Sequence, residues 1–296
     1  MIFRRLSFST AEIPKGTKMT SKIKALVSAD MIFLLLLLFS GSSSGPASEI
    51  LYYSAFIVPT ALILSFTYNP PESLHASARP EKSEVINDFK KDFSVSRRTL
   101  LFSLPVIAPT ILIVLGISAL TSLLMGKLGI DDTVTLETTL LIAIITHALI
   151  PAVLEELLFR LAPIKLLRGN KKTALILSAV MFAFAHANLF QIPFALVAGF
   201  ACGTLYVVTG SILPSILLHF INNTVSLLSM YGFGDLKIIL TLSVLSLASV
   251  IFIFVYRRTF IKMIKDSFDN EKFESSYHPL IFIITSLILA ISTFFA

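Results

Sequence analysis

The chain has 296 residues, of which 55% are hydrophobic and only 14% are charged. A soluble domain carries about a quarter charged residues, so this composition predicts a membrane protein. Its one cysteine, Cys202, excludes an intrachain disulfide and a cysteine-based zinc site.

Apolar segments of membrane-spanning character recur along the whole chain. They cover residues 26–41, 50–68, 99–125, 136–160, 173–189, 191–209, 211–231, 236–256 and 279–296. This pattern predicts an all-α polytopic membrane protein with eight or nine transmembrane helices, because the first and fifth segments are short. The first segment also resembles a signal peptide, but no clear cleavage site follows it, which favours an uncleaved span.

The segments divide the chain into four parts. These are a cytoplasmic N-terminal segment 1–25, N-terminal transmembrane helices 26–135, a core 136–231 that carries the polar motifs, and C-terminal transmembrane helices 232–296. The largest polar insertion, 69–98, is rich in proline and mixed charge. We interpret it as a solvated cytoplasmic connector with one surface helix around residues 84–93.

The formal net charge of +6 reflects membrane topology rather than nucleic-acid binding. Of the 24 Lys and Arg residues, 22 fall in connections that alternating spans place on one side of the membrane. The positive-inside rule then predicts a cytoplasmic N-terminus, and the basic residues favour contact with anionic lipid headgroups.

The most informative motif is Glu155-Glu156-Leu-Leu-Phe-Arg160, which places three charges inside an apolar segment. Each charge costs a few kcal/mol at bilayer depth, so such residues need partners or a function. Glu156 and Arg160 are spaced i,i+4 in the orientation that favours a helical ion pair, which leaves Glu155 free for proton transfer. Pro151 predicts a kink one turn earlier. The alternative is that both acids pair with basic residues at the end of the span.

Two further apolar segments each carry a histidine paired with a second residue at i,i+4 spacing. Phe182 shares a helix face with His186 and shields it from water. His219 and Asn223 are one turn apart, and together they offer two donors to a developing oxyanion. The alternatives are a histidine packed in the core and polar contacts between helices.

The turn at residues 169–170 brings the first two motifs together. Glu155 precedes Gly169 by 14 residues and His186 follows Asn170 by 16. At about 1.5 Å per residue, both lie at similar depth in a helical hairpin. We therefore expect Glu155 to partner His186, with His219 near them in the cytoplasmic half of the bundle.

The Glu-Glu-x-x-x-Arg, Phe-x-x-x-His and His-x-x-x-Asn motifs, in this order and spacing, resemble the CPBP family. This family comprises type II CAAX-prenyl endopeptidases, lysostaphin-resistance (Abi-type) proteins and bacteriocin-processing proteins, which are intramembrane proteases. The Gly199-x-x-x-Gly203 pair and the approach to His219 are also similar. The resemblance covers about residues 136–230.

The resemblance implies an intramembrane endopeptidase in which Glu155 activates the hydrolytic water as general base. His186 helps to hold that water, and His219 and Asn223 stabilise the oxyanion. A nucleophilic cysteine or serine is disfavoured, since no spacing argument brings Cys202 to a histidine.

The resemblance gives Glu156 and Arg160 the role of a supporting pair. The cofactor stays open: Glu155, His186 and His219 would supply three ligands for Zn²⁺, and a glutamate-activated water is slightly favoured over it.

The expected substrate is a peptide or lipidated protein reached from the membrane lipid, as in CAAX-box protein processing, with no nucleic-acid partner. Two other classes remain open. A proton-coupled transporter also buries Glu and His, but it usually shows an internal repeat, and no second set of motifs occurs in this chain. A non-catalytic immunity or binding protein of the same fold would keep the helices without the activity.

Overall fold

The computed structural model describes residues 19–69, 81–127, 129, 138–167, 169–186, 191–228, 231, 236–258, 261, 262 and 265. The helices in these ranges are α1 Met19–Ser42, α2 Pro46–Tyr68, α3 Lys82–Asp92, α4 Arg97–Lys127, α5 Leu140–Leu166, α6 Lys171–Ala185, α7 Ile192–Thr209, α8 Leu213–Leu228 and α9 Leu236–Val255. The described residues contain no strand, which confirms the all-α prediction.

Several of these helices have the length and composition of membrane spans. Four are long and apolar enough to cross a bilayer, namely Ser21–Ser42, Pro46–Tyr68, Leu140–Leu166 and Ile192–Thr209. Shorter apolar helices are Ala108–Ile117, Leu213–Leu228 and Val244–Val255. These helices are those of an integral membrane protein, but the predicted number of eight or nine spans is not confirmed. The predicted last span, 279–296, lies outside the described residues.

A hairpin of α1 and α2 covers one side of the core. Gly45 adopts φ 64° at its turn, which favours glycine, and Pro46 begins α2. The hydroxyls of Ser40 and Ser48 each donate to the other residue's backbone carbonyl at 2.9 Å and so hold the turn together. The core lies between this hairpin and helices α5 to α8.

Helix α5 changes its hydrogen-bond register twice. π-helical turns at Ile144–Leu149 and Leu157–Leu161 flank the α-helical stretch Ile150–Glu156. Pro151 lacks the N–H that would continue the first register, and a π turn occurs where the sequence predicts a kink. Both glutamates therefore stand at the end of a short α-helical stretch, between two turns of a kind that is frequent at functional sites.

Helices α6 and α7 approach each other closely. The turn between α5 and α6 occurs where the sequence predicts it, and the Asn170 side chain caps α6 by accepting from the Thr173 amide at 3.1 Å. A Cβ added to Gly199 would lie only 3.0 Å from Cα of Ala179. The Gly-x-x-x-Gly pair thus permits a close helix contact, as the sequence predicts.

Helix α3 is not the solvated connector that the sequence analysis predicts. Its Asp88 and Asp92 side chains are buried, and both form ion pairs with the buried Lys165 at the end of α5. Tyr68 of α2 also donates to Asp88, and Tyr206 of α7 donates to Asp92 at 2.8 Å. Burial of these acids was not predictable from their own segment, because their partners lie far away in the chain.

The C-terminal end of α3 also holds the start of α8. The backbone carbonyl of Asp92 accepts from the Ser211 hydroxyl at 3.0 Å and from the Ile212 amide at 2.8 Å. Through Lys165 and Ser211, α3 joins the helix that carries the two glutamates to the helix that carries His219. Its polar contacts lie at the same end of the bundle as the turns after α5 and α7, as alternating spans require.

Replacing Lys165 with methionine should destabilise the protein in a pH-dependent way. The change leaves Asp88 and Asp92 buried without their cation, which costs about 3–5 kcal/mol. Burial already raises the pKa of Asp92, with Lys165 opposing that rise. Acids with a raised folded-state pKa destabilise the fold more as pH rises, so the loss should be larger at about pH 8 than at about pH 5. Thermal unfolding in detergent measures this.

The control for this experiment is Lys90→Met, because Lys90 is an exposed lysine on α3. It should leave the free energy of unfolding within about 0.5 kcal/mol of wild type. An equal loss for the two variants, or a loss independent of pH, would contradict the assigned role of Lys165.

Candidate active site

The predicted ion pair of Glu156 with Arg160 is present. A guanidinium nitrogen of Arg160 lies 3.0 Å from Oε1 of Glu156, and both side chains are completely buried. The guanidinium also lies over the ring of Phe182, 3.9 Å from its centroid. This cation–π contact covers nitrogens that find no hydrogen-bond acceptor within the described residues.

The imidazole of His219 bridges the two glutamates. Its Nδ1 lies 2.9 Å from Oε1 of Glu156, and its Nε2 lies 3.6 Å from Oε2 of Glu155. His219 is 7% exposed and Glu155 is 16% exposed, whereas Glu156 is fully enclosed. Glu155 is therefore the accessible acid and Glu156 the enclosed one, consistent with the division that the i,i+4 spacing predicts.

His186 stands at the same site, but it is not the ion-pair partner of Glu155. Its Nδ1 hydrogen-bonds the carbonyl of Phe182 at 2.8 Å, while Glu155, His219 and Arg160 act on it electrostatically. The depth estimated from the hairpin predicts that His186 lies near Glu155, and the structure has both residues at the site. The histidine at ion-pair distance from Glu155 is nevertheless His219, on a helix that the hairpin estimate did not include.

The ring of Phe182 contacts both histidines. Its centroid lies 4.8 Å from that of His186 and 5.4 Å from that of His219, and both contacts are edge-to-face. With Arg160 on its face, this one phenylalanine packs against three polar side chains. It thus fixes their relative positions, a larger role than the shielding of His186 that the spacing predicts.

Asn223 lies one turn after His219 on α8 and is half-buried, with no hydrogen bond to the described residues. Its neighbour Asn222 is more deeply buried, and its Oδ1 has no partner among the described residues. The sequence analysis does not single out Asn222. Its position three residues after His219 was the available signal, since residues at that spacing share a helix face.

Cys202 and Ser215 lie close to the glutamates but are committed to other contacts. Cys202 of α7 is 2% exposed and lies against the carboxylate of Glu156. The hydroxyl of Ser215 donates to the carbonyl of Cys202 at 2.7 Å. The nearness of Cys202 to Glu156 escaped the sequence analysis, because it depends on the packing of α7 against α5.

The candidate zinc ligands are Glu155, His186 and His219. Among the described residues, no three His, Cys, Asp or Glu side chains are grouped so that they could hold one metal ion. The Nδ1 of His219 is engaged by Glu156, and its Nε2 faces Glu155. The Nδ1 of His186 bonds the carbonyl of Phe182.

The site lies in the middle part of α5. Glu155 is about 16 Å along the helix from Leu166 and about 22 Å from Leu140, at 1.5 Å per residue. It is therefore nearer to the end of the bundle where α3 binds Lys165.

Comparison with known proteins matches part of the chain to a family. Residues 137–225 match the family model described as type II CAAX prenyl endopeptidase Rce1-like. Neither the curated proteins nor the solved structures contain a significant match to the chain. The matched range contains all three polar motifs and nearly coincides with the stretch on which the sequence resemblance rests. The match of residues 137–225 to the Rce1-like model supports membership of the CPBP family.

Proposed function

We propose that this protein is an intramembrane endopeptidase in which Glu155 activates water for attack on a peptide bond. The observation that carries the proposal is the His219 imidazole between an accessible and an enclosed glutamate. Glu156 and Arg160 neutralise each other behind it. The family match to residues 137–225 supports protease chemistry for such an arrangement.

His219 is the group that links the two glutamates in the proposed reaction. Its Nδ1 lies 2.9 Å from Oε1 of Glu156, and its Nε2 lies 3.6 Å from Oε2 of Glu155. In the proposed reaction, Nδ1–H donates to Glu156 and Nε2–H is offered to the substrate.

The proposed reaction begins when Glu155 takes a proton from water as the water oxygen attacks the carbonyl carbon. The resulting oxyanion accepts hydrogen bonds from Nε2–H of His219 and from the Asn223 amide. Glu155 then gives its proton to the leaving nitrogen, and the C–N bond breaks. His186 helps to hold the attacking water in the proposed reaction.

The proposed substrate class is a peptide carried by a lipidated protein, as in C-terminal CAAX processing. The apolar exterior of the helices suits lateral arrival of a lipid chain from the membrane. We propose that cleavage occurs near the cytoplasmic face, because the positive-inside rule favours a cytoplasmic position for the α3 end of the bundle.

The test is cleavage of a prenylated CAAX-type peptide by the full chain in nanodiscs, followed by mass spectrometry. We expect release of a short C-terminal peptide that requires an intact Glu155. A parallel reaction with a metal chelator separates a glutamate-activated water from a metal-bound one, since only the latter loses activity. A folded wild type that cleaves neither a prenylated nor an unmodified peptide would contradict the proposal and favour the non-catalytic alternative.

A further inference from the structure

The hairpin of α1 and α2, which lies outside the matched residues, packs directly against the site-bearing helix. The ring of Phe33 on α1 contacts Phe56 of α2 at 5.3 Å and Phe159 of α5 at 5.4 Å between centroids. Farther along, the amine of Lys165 lies 5.9 Å from the ring centroid of Tyr68. Helices α2 and α5 therefore run side by side in the same direction.

Because Phe33 contacts both Phe56 and Phe159, Tyr52 and Glu155 lie at similar depth in these two parallel helices. Tyr52 precedes Phe56 by four residues and Glu155 precedes Phe159 by four, so each lies one turn before its aromatic neighbour. The rings of Tyr52 and Phe56 are in edge-to-face contact at 5.3 Å. The Tyr52 phenol and the Glu155 carboxylate lie within electrostatic range of each other.

The hydroxyl of Tyr52 is available for a new contact. It makes no hydrogen bond to any residue that the structure describes, although the side chain is largely enclosed. Glu155 is the partly exposed acid of the site, and its Oε2 faces Nε2 of His219. The phenol of Tyr52 is a hydrogen-bond donor without a partner among the described residues, and the carboxylate of Glu155 is an acceptor at similar depth.

We propose that Tyr52 is a positioning residue of the active site, whose hydroxyl donates a hydrogen bond to the carboxylate of Glu155. The proposal rests on the function proposed above, and it adds a residue from the N-terminal hairpin to a site otherwise built from residues 137–225. The bond holds one carboxylate oxygen, so that the other is aimed at the water. It also stabilises Glu155 in its ionised form, which is the form that accepts a proton.

The activity test compares Tyr52→Phe with Tyr53→Phe. Each change removes one hydroxyl and keeps the ring, and the two adjacent tyrosines contact each other at 5.5 Å on different faces of α2. A hydrogen bond to a charged group is worth about a tenfold to hundredfold effect, so kcat should fall by that factor in Tyr52→Phe. KM should not change, and Tyr53→Phe should behave as wild type in kcat, KM and unfolding temperature.

A second measurement, the chemical labelling of Glu155, does not depend on peptide cleavage. A hydrophobic carbodiimide labels protonated carboxyl groups, so its reaction with Glu155, localised by mass spectrometry, should be faster in Tyr52→Phe than in wild type or Tyr53→Phe. Equal labelling rates in all three proteins would overturn the proposal, as would unchanged kcat or a change in KM alone. If wild type cleaves no peptide but the labelling rates differ as expected, the proposed function fails and the Tyr52–Glu155 contact stands.

Discussion

Replacing Glu155 with glutamine is expected to lower kcat for peptide cleavage by about 10²- to 10⁴-fold, which is the usual contribution of a general base. Glutamine has nearly the same shape but cannot accept the proton of the attacking water. Because Glu155 is partly exposed and Glu156 keeps its bond to His219, the fold should be retained. Single-turnover cleavage in nanodiscs, with the unfolding temperature measured alongside, checks both statements.

The matched control is Glu49→Gln, which makes the same chemical change at an exposed position on α2. It should leave kcat and stability at the wild-type values. Wild-type cleavage by Glu155→Gln would remove Glu155 from the reaction. The burial of the Glu156–Arg160 ion pair would then need a different explanation.

Replacing Arg160 with methionine is expected to cost about 3–5 kcal/mol of stability, because it leaves Glu156 charged and enclosed. Glu156 is completely buried and would keep only the imidazole of His219 as a partner. The change also removes the cation from the face of Phe182. The expected observation is a strong drop in the unfolding temperature in detergent, with loss of cleavage.

The double variant Glu156→Gln/Arg160→Met separates charge burial from lost packing. If the penalty comes from the uncompensated carboxylate, the double variant should recover most of the lost stability, because neither charge remains. It should still be a poor enzyme, since His219 loses the carboxylate that holds its Nδ1. A double variant less stable than Arg160→Met would show that packing against Phe182 dominates.

The polar site was largely predictable because its residues lie at helical spacings within apolar segments. The pair of Glu156 with Arg160 follows from an i,i+4 relation on one helix, and the structure contains it at 3.0 Å. The roles of Glu155, His186, His219 and Asn223 in catalysis remain proposals. What the spacing could not give is the bridging position of His219, which depends on how α8 packs against α5.

The part played by α3 shows the limit of local patterns. A short charged segment between prolines has the composition of a solvated loop. Burial of Asp88 and Asp92 requires the amine of Lys165, which follows Asp88 by 77 residues. A cation so far away in the chain leaves no periodic signal near the acids that it neutralises.

The sequence by itself determined the class of protein, the apolar segments with their basic connections, the polar motifs and the family resemblance of residues 136–230. These features are local: each depends on hydropathy over one segment or on residues within one helical turn. Only the tertiary structure decided which histidine meets Glu155, that Phe182 contacts both histidines, and that α3 is buried against Lys165. Each of those contacts joins helices distant in the chain, and their relative positions depend on side-chain packing across the whole bundle.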